Sequence, residues 1–230
     1  MTPREFKEGP RPPFLANRSF RLRGTRITDA QQSATDKYWQ EFGIEPDHKI
    51  IPAEIFPNSK EVVMEIGSGM GEATAIIAHT FGQIGYLAVE VHRPGIGSLL
   101  GRISELELTN IRIINEDARV VMSDLMPDQC LDAIHLYFPD PWPKSKHWKR
   151  RIIQEDFLEL VWSKLKPGGY IHIATDWVAY SHWIEEKFAA SAKFEGGEIA
   201  KPDFRPTTRF EQKGITKDHK VRDFKYFRKG

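Results

Sequence analysis

One cysteine, Cys130, stands among 230 residues, so an internal disulfide is excluded and the fold must rest on its core. No run is long and apolar enough to span a bilayer. The start, Met1-Thr2-Pro3-Arg4-Glu5, has no apolar signal-peptide core, so a cytoplasmic location is expected. Net charge is scarce as well: 33 Lys and Arg face 32 Asp and Glu, leaving +1. That balance excludes a uniformly basic polyanion binder and confines any nucleic-acid surface to a local patch. His48, His79, His92, His135, His147, His172, His182 and His219 show no paired ligand spacing, so no metal site is expected. His135 and His172 read as strand residues.

A hydrophobic content of 40% and 28% charged residues describe an ordinary globular chain. Its length favours one large domain or two small ones, and one domain with an extension is the expectation. Residues 1–50 form the extension: Arg18, Arg21, Arg23 and Arg26 interleave with Phe20 and Leu22, ahead of a predicted helix from about Asp29 to Phe42. This arm either grips phosphates or is solvated. Residues 51–230 form the main domain. Apolar runs at 62–66, 86–90, 111–114, 133–138 and 170–174 read as strands. Helical candidates lie near 72–82, 93–107, 118–126, 152–165 and 177–192. Such alternation predicts an α/β sandwich around a mostly parallel sheet. Late strand candidates at 194–199 and 220–228 would form an antiparallel edge.

The first of these strands runs into Glu65-Ile66-Gly67-Ser68-Gly69-Met70-Gly71. Glycines at every second position let a turn pass close to a ligand. A dinucleotide site needs a further glycine where Glu72 stands. Glu65 and Glu72 would also repel a pyrophosphate, whereas they suit the sulfonium and ammonium of S-adenosyl-L-methionine. Glu90 and Asp117 end the next two strands and come to the same sheet edge, where open α/β sheets bind ligands. Glu90 is placed to accept the ribose hydroxyls and Asp117 the adenine amino group, each bond worth roughly 1.5–3 kcal/mol. Taken singly, each acid is an ordinary helix cap; together with the glycine turn they point to a cofactor pocket.

Phe138-Pro139-Asp140-Pro141-Trp142-Pro143 leads into Lys144-Ser145-Lys146-His147-Trp148-Lys149-Arg150-Arg151. The prolines fix φ and remove donors, holding Asp140 and Trp142 in an open turn joined to a polycationic stretch. Lys146, Lys149, Arg150 and Arg151 supply sequence-blind attraction to phosphates. Trp142 either stacks on a base or packs inward, and Asp176 in Thr175-Asp176-Trp177 is either a ligand or a cap.

Glu65 to Gly71, Glu90-Val91-His92, Asn115-Glu116-Asp117-Ala118, Phe138 to Lys144 and Thr208-Arg209-Phe210-Glu211 together resemble the bacterial tRNA (guanine-N7)-methyltransferases, from about Arg18 onward. The resemblance implies a Rossmann-like class I methyltransferase fold with a seven-stranded sheet and tRNA as partner. It implies that Glu65, Gly67, Gly69, Gly71, Glu90, Asp117 and Asp140 hold the methyl donor and that Asp140 is catalytic. Lys144, Asp176, Thr208, Arg209, Phe210 and Glu211 would meet the target nucleotide, and Lys146, His147, Trp148, Lys149, Arg150 and Arg151 the RNA. Pro143 after Trp142, where many relatives carry His, and Trp148 within the basic run depart from the family pattern. An exocyclic-amine methyltransferase and a non-catalytic RNA-binding protein on the same fold are the alternatives. A cysteine nucleophile is disfavoured, since Cys130 precedes its strand and so falls at the opposite sheet edge. Monomer and homodimer both remain open.

Overall fold

A computed structural model describes residues 17–21, 26–208, 211–212 and 220–230. Leu22, Arg23, Arg209, Phe210 and His219 lie outside the described residues.

Helix α1 (Asp29–Phe42) opens on a capping box in which the Thr28 hydroxyl accepts from Gln31 N–H and the Gln31 side chain accepts from Thr28 N–H. It runs into a two-residue strand β1 (Gly43–Ile44). The short helix α2 (Pro52–Ile55) follows, with proline in its first turn. Then come β2 (Glu61–Ile66), α3 (Glu72–Thr80), β3 (Ile84–Val89), α4 (Arg93–Glu105), β4 (Ile111–Ile114) and α5 (Ala118–Val120). A π-helical turn over Val121–Leu125 leads to β5 (Leu131–Tyr137), and a 3₁₀ turn occupies Ser145–Arg150. The chain closes with α6 (Glu155–Lys164), β6 (Leu165–Thr175), α7 (Val178–Ala189), β7 (Phe194–Ile199) and β8 (Arg222–Arg228).

The strands form one sheet in the order β1-β4-β3-β2-β5-β6-β8-β7. Every pairing is parallel except those of β8 with β6 and β7. The sheet has eight strands rather than the expected seven: Gly43 and Ile44 pair with Ile113 and Ile114 at one edge. So short a segment carries no alternation to read.

Alternating side chains serve two cores. Met64, Leu87, Ile134 and Ile171 pack on one face, and Val63, Ala88, Ile113 and Leu99 on the other. Trp39 and Phe42 of α1 belong to the second core. Burial of both faces explains why the central strands read as nearly continuous apolar runs. Chain order reverses between β2 and β5, since β3 and β4 lie to one side and β6 to the other. The crevice at the carboxyl ends of β2 and β5 is therefore the topological switch point, where such sheets bind ligands.

Candidate active site

Glu65 is the penultimate residue of β2, and the turn behind the strand uses φ of +74°, +57° and +71° at Gly67, Gly69 and Gly71. Side chains rarely adopt this left-handed region. A Cβ on Gly71 would come within 2.6 Å of Leu99 Cβ, and one on Gly95 of α4 within 2.2 Å of the Gly69 carbonyl oxygen. Helix α4 is thus pressed directly onto the glycine turn. At Gly67 and Gly69 themselves the Cβ direction is open, leaving room for a ligand.

That room is a cavity of about 550 Å³, in the range of small-molecule sites. Glu65, the glycine turn, Tyr137, Arg205 and Thr208 contribute to its walls. Burial raises the Glu65 carboxyl to about 7, with the neighbouring Glu90 charge pushing the same way. Glu90 is buried beside it: Oε2 accepts from Gly69 N–H at 2.7 Å, and Oε1 from Val91 and His92 N–H at 2.7 and 2.8 Å. Burial raises its pKa although these donors favour the carboxylate. The Ser68 hydroxyl and Asn115 Oδ1 are buried without a partner among the described residues. Orphan polar atoms at a site of this kind call for a ligand or water.

Asp117 caps α5 through Arg119 N–H and pairs with the Arg119 guanidinium, whose Nη2 also donates to the Asn17 carbonyl. Asp140 lies in the turn after β5, half-buried, and its Oδ2 accepts from the main-chain N–H of Arg21. Phe138 and Trp142 flank it at φ of 51° and 44°, unusual for residues with side chains. Trp142 packs inward at 4% exposure, donates to the Ser19 carbonyl, and lies 4.6 Å beneath the Arg21 guanidinium. Asp176 follows β6 on the neighbouring strand end, and the cap position of α7 is Trp177, not Asp176.

Lys144, Lys146, Lys149 and Trp148 are exposed in and beside the 3₁₀ turn, with Trp148 at 40%. Arg151 is a correction. It is 2% exposed, donates to the Pro141 carbonyl, and lies over Trp148, Trp183 and Tyr180, so it braces the turn instead of meeting RNA. Burial and the cations Lys146, Arg150, Arg21 and Lys144 lower the His147 pKa, so this histidine adds no charge to the patch at neutral pH.

Thr208 reaches the cavity wall, and its hydroxyl accepts from Glu211 N–H. Glu211 departs from the expectation that it meets the nucleotide: its buried carboxylate is shared between Arg205 and Lys201. Arg205 also grips Asp223 through Nε and Nη2 at 2.7 and 2.8 Å. His172 bonds Asp223 at 2.8 Å and Tyr137 at 3.0 Å. Burial outweighs Asp223 and lowers the His172 pKa, keeping the ring neutral. Nε2–H then donates to Asp223 while Nδ1 accepts from the Tyr137 hydroxyl. Asp223 is buried, which disfavours its charge, yet the bonds from His172 and Arg205 hold its pKa below normal. Arg205 and Tyr137 were missed in the sequence. The signal for Tyr137 was polar residues at inward strand positions, Tyr137 and His135 on β5 with His172 in register on β6, whereas Arg205 lies in the irregular segment between β7 and β8.

A family model described as putative methyltransferase matches residues 59–224. The tRNA (guanine-N(7)-)-methyltransferase of Nitrosospira multiformis is 47% identical over 215 residues, covering 92% of this chain and 94% of that protein. The chain belongs to the tRNA (guanine-N(7)-)-methyltransferase family. The Streptomyces avermitilis member is 44% identical across 92% of this chain and 75% of its own length. Among solved structures, the 16S rRNA methyltransferase KamB matches with a TM-score of 0.59 at 12% identity, over 77% of this chain and 92% of that one. A likeness at that identity concerns the fold, a Rossmann-like methyltransferase sandwich.

Proposed function

We infer that this protein transfers the methyl group of S-adenosyl-L-methionine to N7 of a guanine in the variable loop of tRNA, in the cytoplasm. The observation that carries the reading is the 47% identity to a tRNA (guanine-N(7)-)-methyltransferase over 92% of the chain. The acid-lined cavity at the switch point supports it.

When bound, the donor supplies an electrophilic methyl on a sulfonium. Glu90 and Asp117 on one side of the glycine turn suit the ribose and adenine, and Glu65 on the other suits the ammonium. The orphan Ser68 hydroxyl and Asn115 Oδ1 stand ready for further bonds. Guanine N7 presents an in-plane lone pair and no proton, so the chain needs no general base. Its task is alignment, which supplies roughly 7–11 kcal/mol when nucleophile and electrophile are held in line.

Asp140 is the catalytic group in this reading. Its carboxylate accepts from guanine N1–H or the exocyclic amine, and it stabilises the positive charge that reaches the ring more than it stabilises the neutral base. Asp176 and Thr208 line the approach from the neighbouring strand end and the cavity wall. Arg209 and Phe210 join them as proposed substrate contacts. Lys144, Lys146, Lys149, Arg150 and the exposed Trp148 face the RNA, the lysines as point charges and the indole as a stacking platform.

The test is methyl transfer from labelled donor to unmodified tRNA transcripts, one with its variable-loop guanine replaced by adenine. Label that requires the guanine, with N7-methylguanine-specific strand cleavage there, is expected. Label without cleavage would move the target to an exocyclic amine.

A further inference from the structure

The amino-acid end of the donor carries a carboxylate as well as an ammonium, and an anion beside Glu65 and Glu72 needs a cation. Among the described residues two arginines line the cavity, Arg205 and Arg102. Arg205 is spent, with Nε, Nη1 and Nη2 all bonded to Asp223 or Glu211. Arg102 is not. Its Nε donates to the Met70 carbonyl at 3.2 Å, and that is its one side-chain hydrogen bond among the described residues. The Ser98 hydroxyl donates to the same carbonyl at 3.0 Å, so α4 is tied to the glycine turn at two adjacent helical positions. Gly95, packed against the Gly69 carbonyl, adds a third tie on the same helix. Arg102 therefore sits on a rigid support with its terminal Nη edge uncommitted.

A second observation points to the same ligand group. Ser68 lines the cavity from the glycine turn, is 9% exposed, and its hydroxyl has no partner among the described residues. A hydroxyl donor and a guanidinium edge on the walls of one cavity offer a donor pair for an anion, and a carboxylate matches the planar fork of arginine. With Glu90 and Asp117 assigned to the adenosine, Glu65 and Arg102, which line the same cavity, are left for the amino-acid tail.

We propose that Arg102, assisted by the Ser68 hydroxyl, binds the carboxylate of the methyl donor's amino-acid group. This rests on the reading of the cavity as the donor site. Glu65 and Arg102 then discriminate the zwitterionic tail as a pair, one charge each.

The test is calorimetric binding of S-adenosylhomocysteine and of its decarboxylated analogue to the full chain and to Arg102→Gln, Arg102→Lys and Ser68→Ala. The wild type should prefer S-adenosylhomocysteine by about 10- to 100-fold, the value of a hydrogen-bonded charge pair. Arg102→Gln should bring the two ligands to near parity by weakening only the carboxylated one. Arg102→Lys, which keeps the charge without the fork, should fall between, and Ser68→Ala should lose a few-fold. An undiminished preference in Arg102→Gln would overturn the assignment while leaving the donor site standing. Loss of tRNA affinity and of its salt dependence, with both donor affinities unchanged, would overturn it in favour of a phosphate contact. Failure of the wild type to bind S-adenosylhomocysteine would overturn the donor reading itself.

Discussion

The main-chain N–H of Arg21 donates to Asp140 Oδ2 at 3.0 Å, so the N-terminal arm lies on the acid assigned to catalysis. Two more bonds extend the contact: Trp142 Nε1 to the Ser19 carbonyl, and Arg119 Nη2 to the Asn17 carbonyl. Since Arg119 pairs with Asp117, the arm touches the turn that carries Asp140 and the carboxylate proposed to meet the adenine together.

Replacing Asp140 with Asn keeps an oxygen that can accept from Arg21 N–H but removes the charge. Turnover should fall about 100-fold, the cost of a lost transition-state electrostatic contact. S-adenosylhomocysteine affinity should change only a few-fold. Single-turnover methylation beside calorimetry separates the two, and near-wild-type turnover would remove Asp140 from the catalytic role.

Glu65 sets a pH dependence. Burial, with Glu90 adding to it, lifts the carboxyl from 4.5 to about 7. Between those values the native protein holds a proton that the unfolded chain has released. Stability without ligand should therefore decline as pH rises through that window, by roughly 3 kcal/mol at most, and level off above it. Glu65→Gln should flatten this slope in denaturant titrations at successive pH values. Donor binding should favour the charged form, tightening as pH rises toward 7 with release of a proton. Equal heats of binding in buffers of different ionisation enthalpy at about pH 6 would contradict it.

Arg205, 2% exposed, bridges two buried carboxylates. Arg205→Met should cost about 3–5 kcal/mol by leaving both unpaired. Adding Glu211→Gln and Asp223→Asn should recover part of that loss, a non-additivity that denaturant melts of the single and combined variants would reveal. Strict additivity would mean that these groups do not act as one unit.

Lys146→Ala and Lys149→Ala should each reduce the salt dependence of tRNA binding by about one unit of slope, with little change in melting temperature. Arg151→Ala should do the reverse, lowering stability while the slope stays. A reduced slope in Arg151→Ala would return that side chain to the RNA surface.

The central strands and α1, α3, α4, α6 and α7 were legible because apolar runs encode them locally, whereas the four-residue α2 was not. Helix α1 begins at Asp29, the expected start, with Thr28 and Gln31 closing its capping box. The acids were legible through position, since Glu65, Glu90 and Asp117 end or follow successive strands. What escaped depended on side-chain contacts that exist only once the chain has folded. Arg151 looks like its basic neighbours until Pro141 and three aromatic rings are placed around it. Glu211 looks like an open acceptor until Arg205 and Lys201 close on it. The π-helical turn after α5 carries no periodicity distinct from a helix, and β1 is too short to show one.

The arm's contacts with Asp140 and Trp142 span 119 and 123 residues. A ribosome makes Ser19 and Arg21 long before it makes the turn that receives them, a lag of about 6–25 s at ordinary elongation rates. The earliest of these partners to emerge are thus among the last to meet, and a nascent chain carries Ser19 and Arg21 without these two contacts until the turn after β5 has folded beneath them.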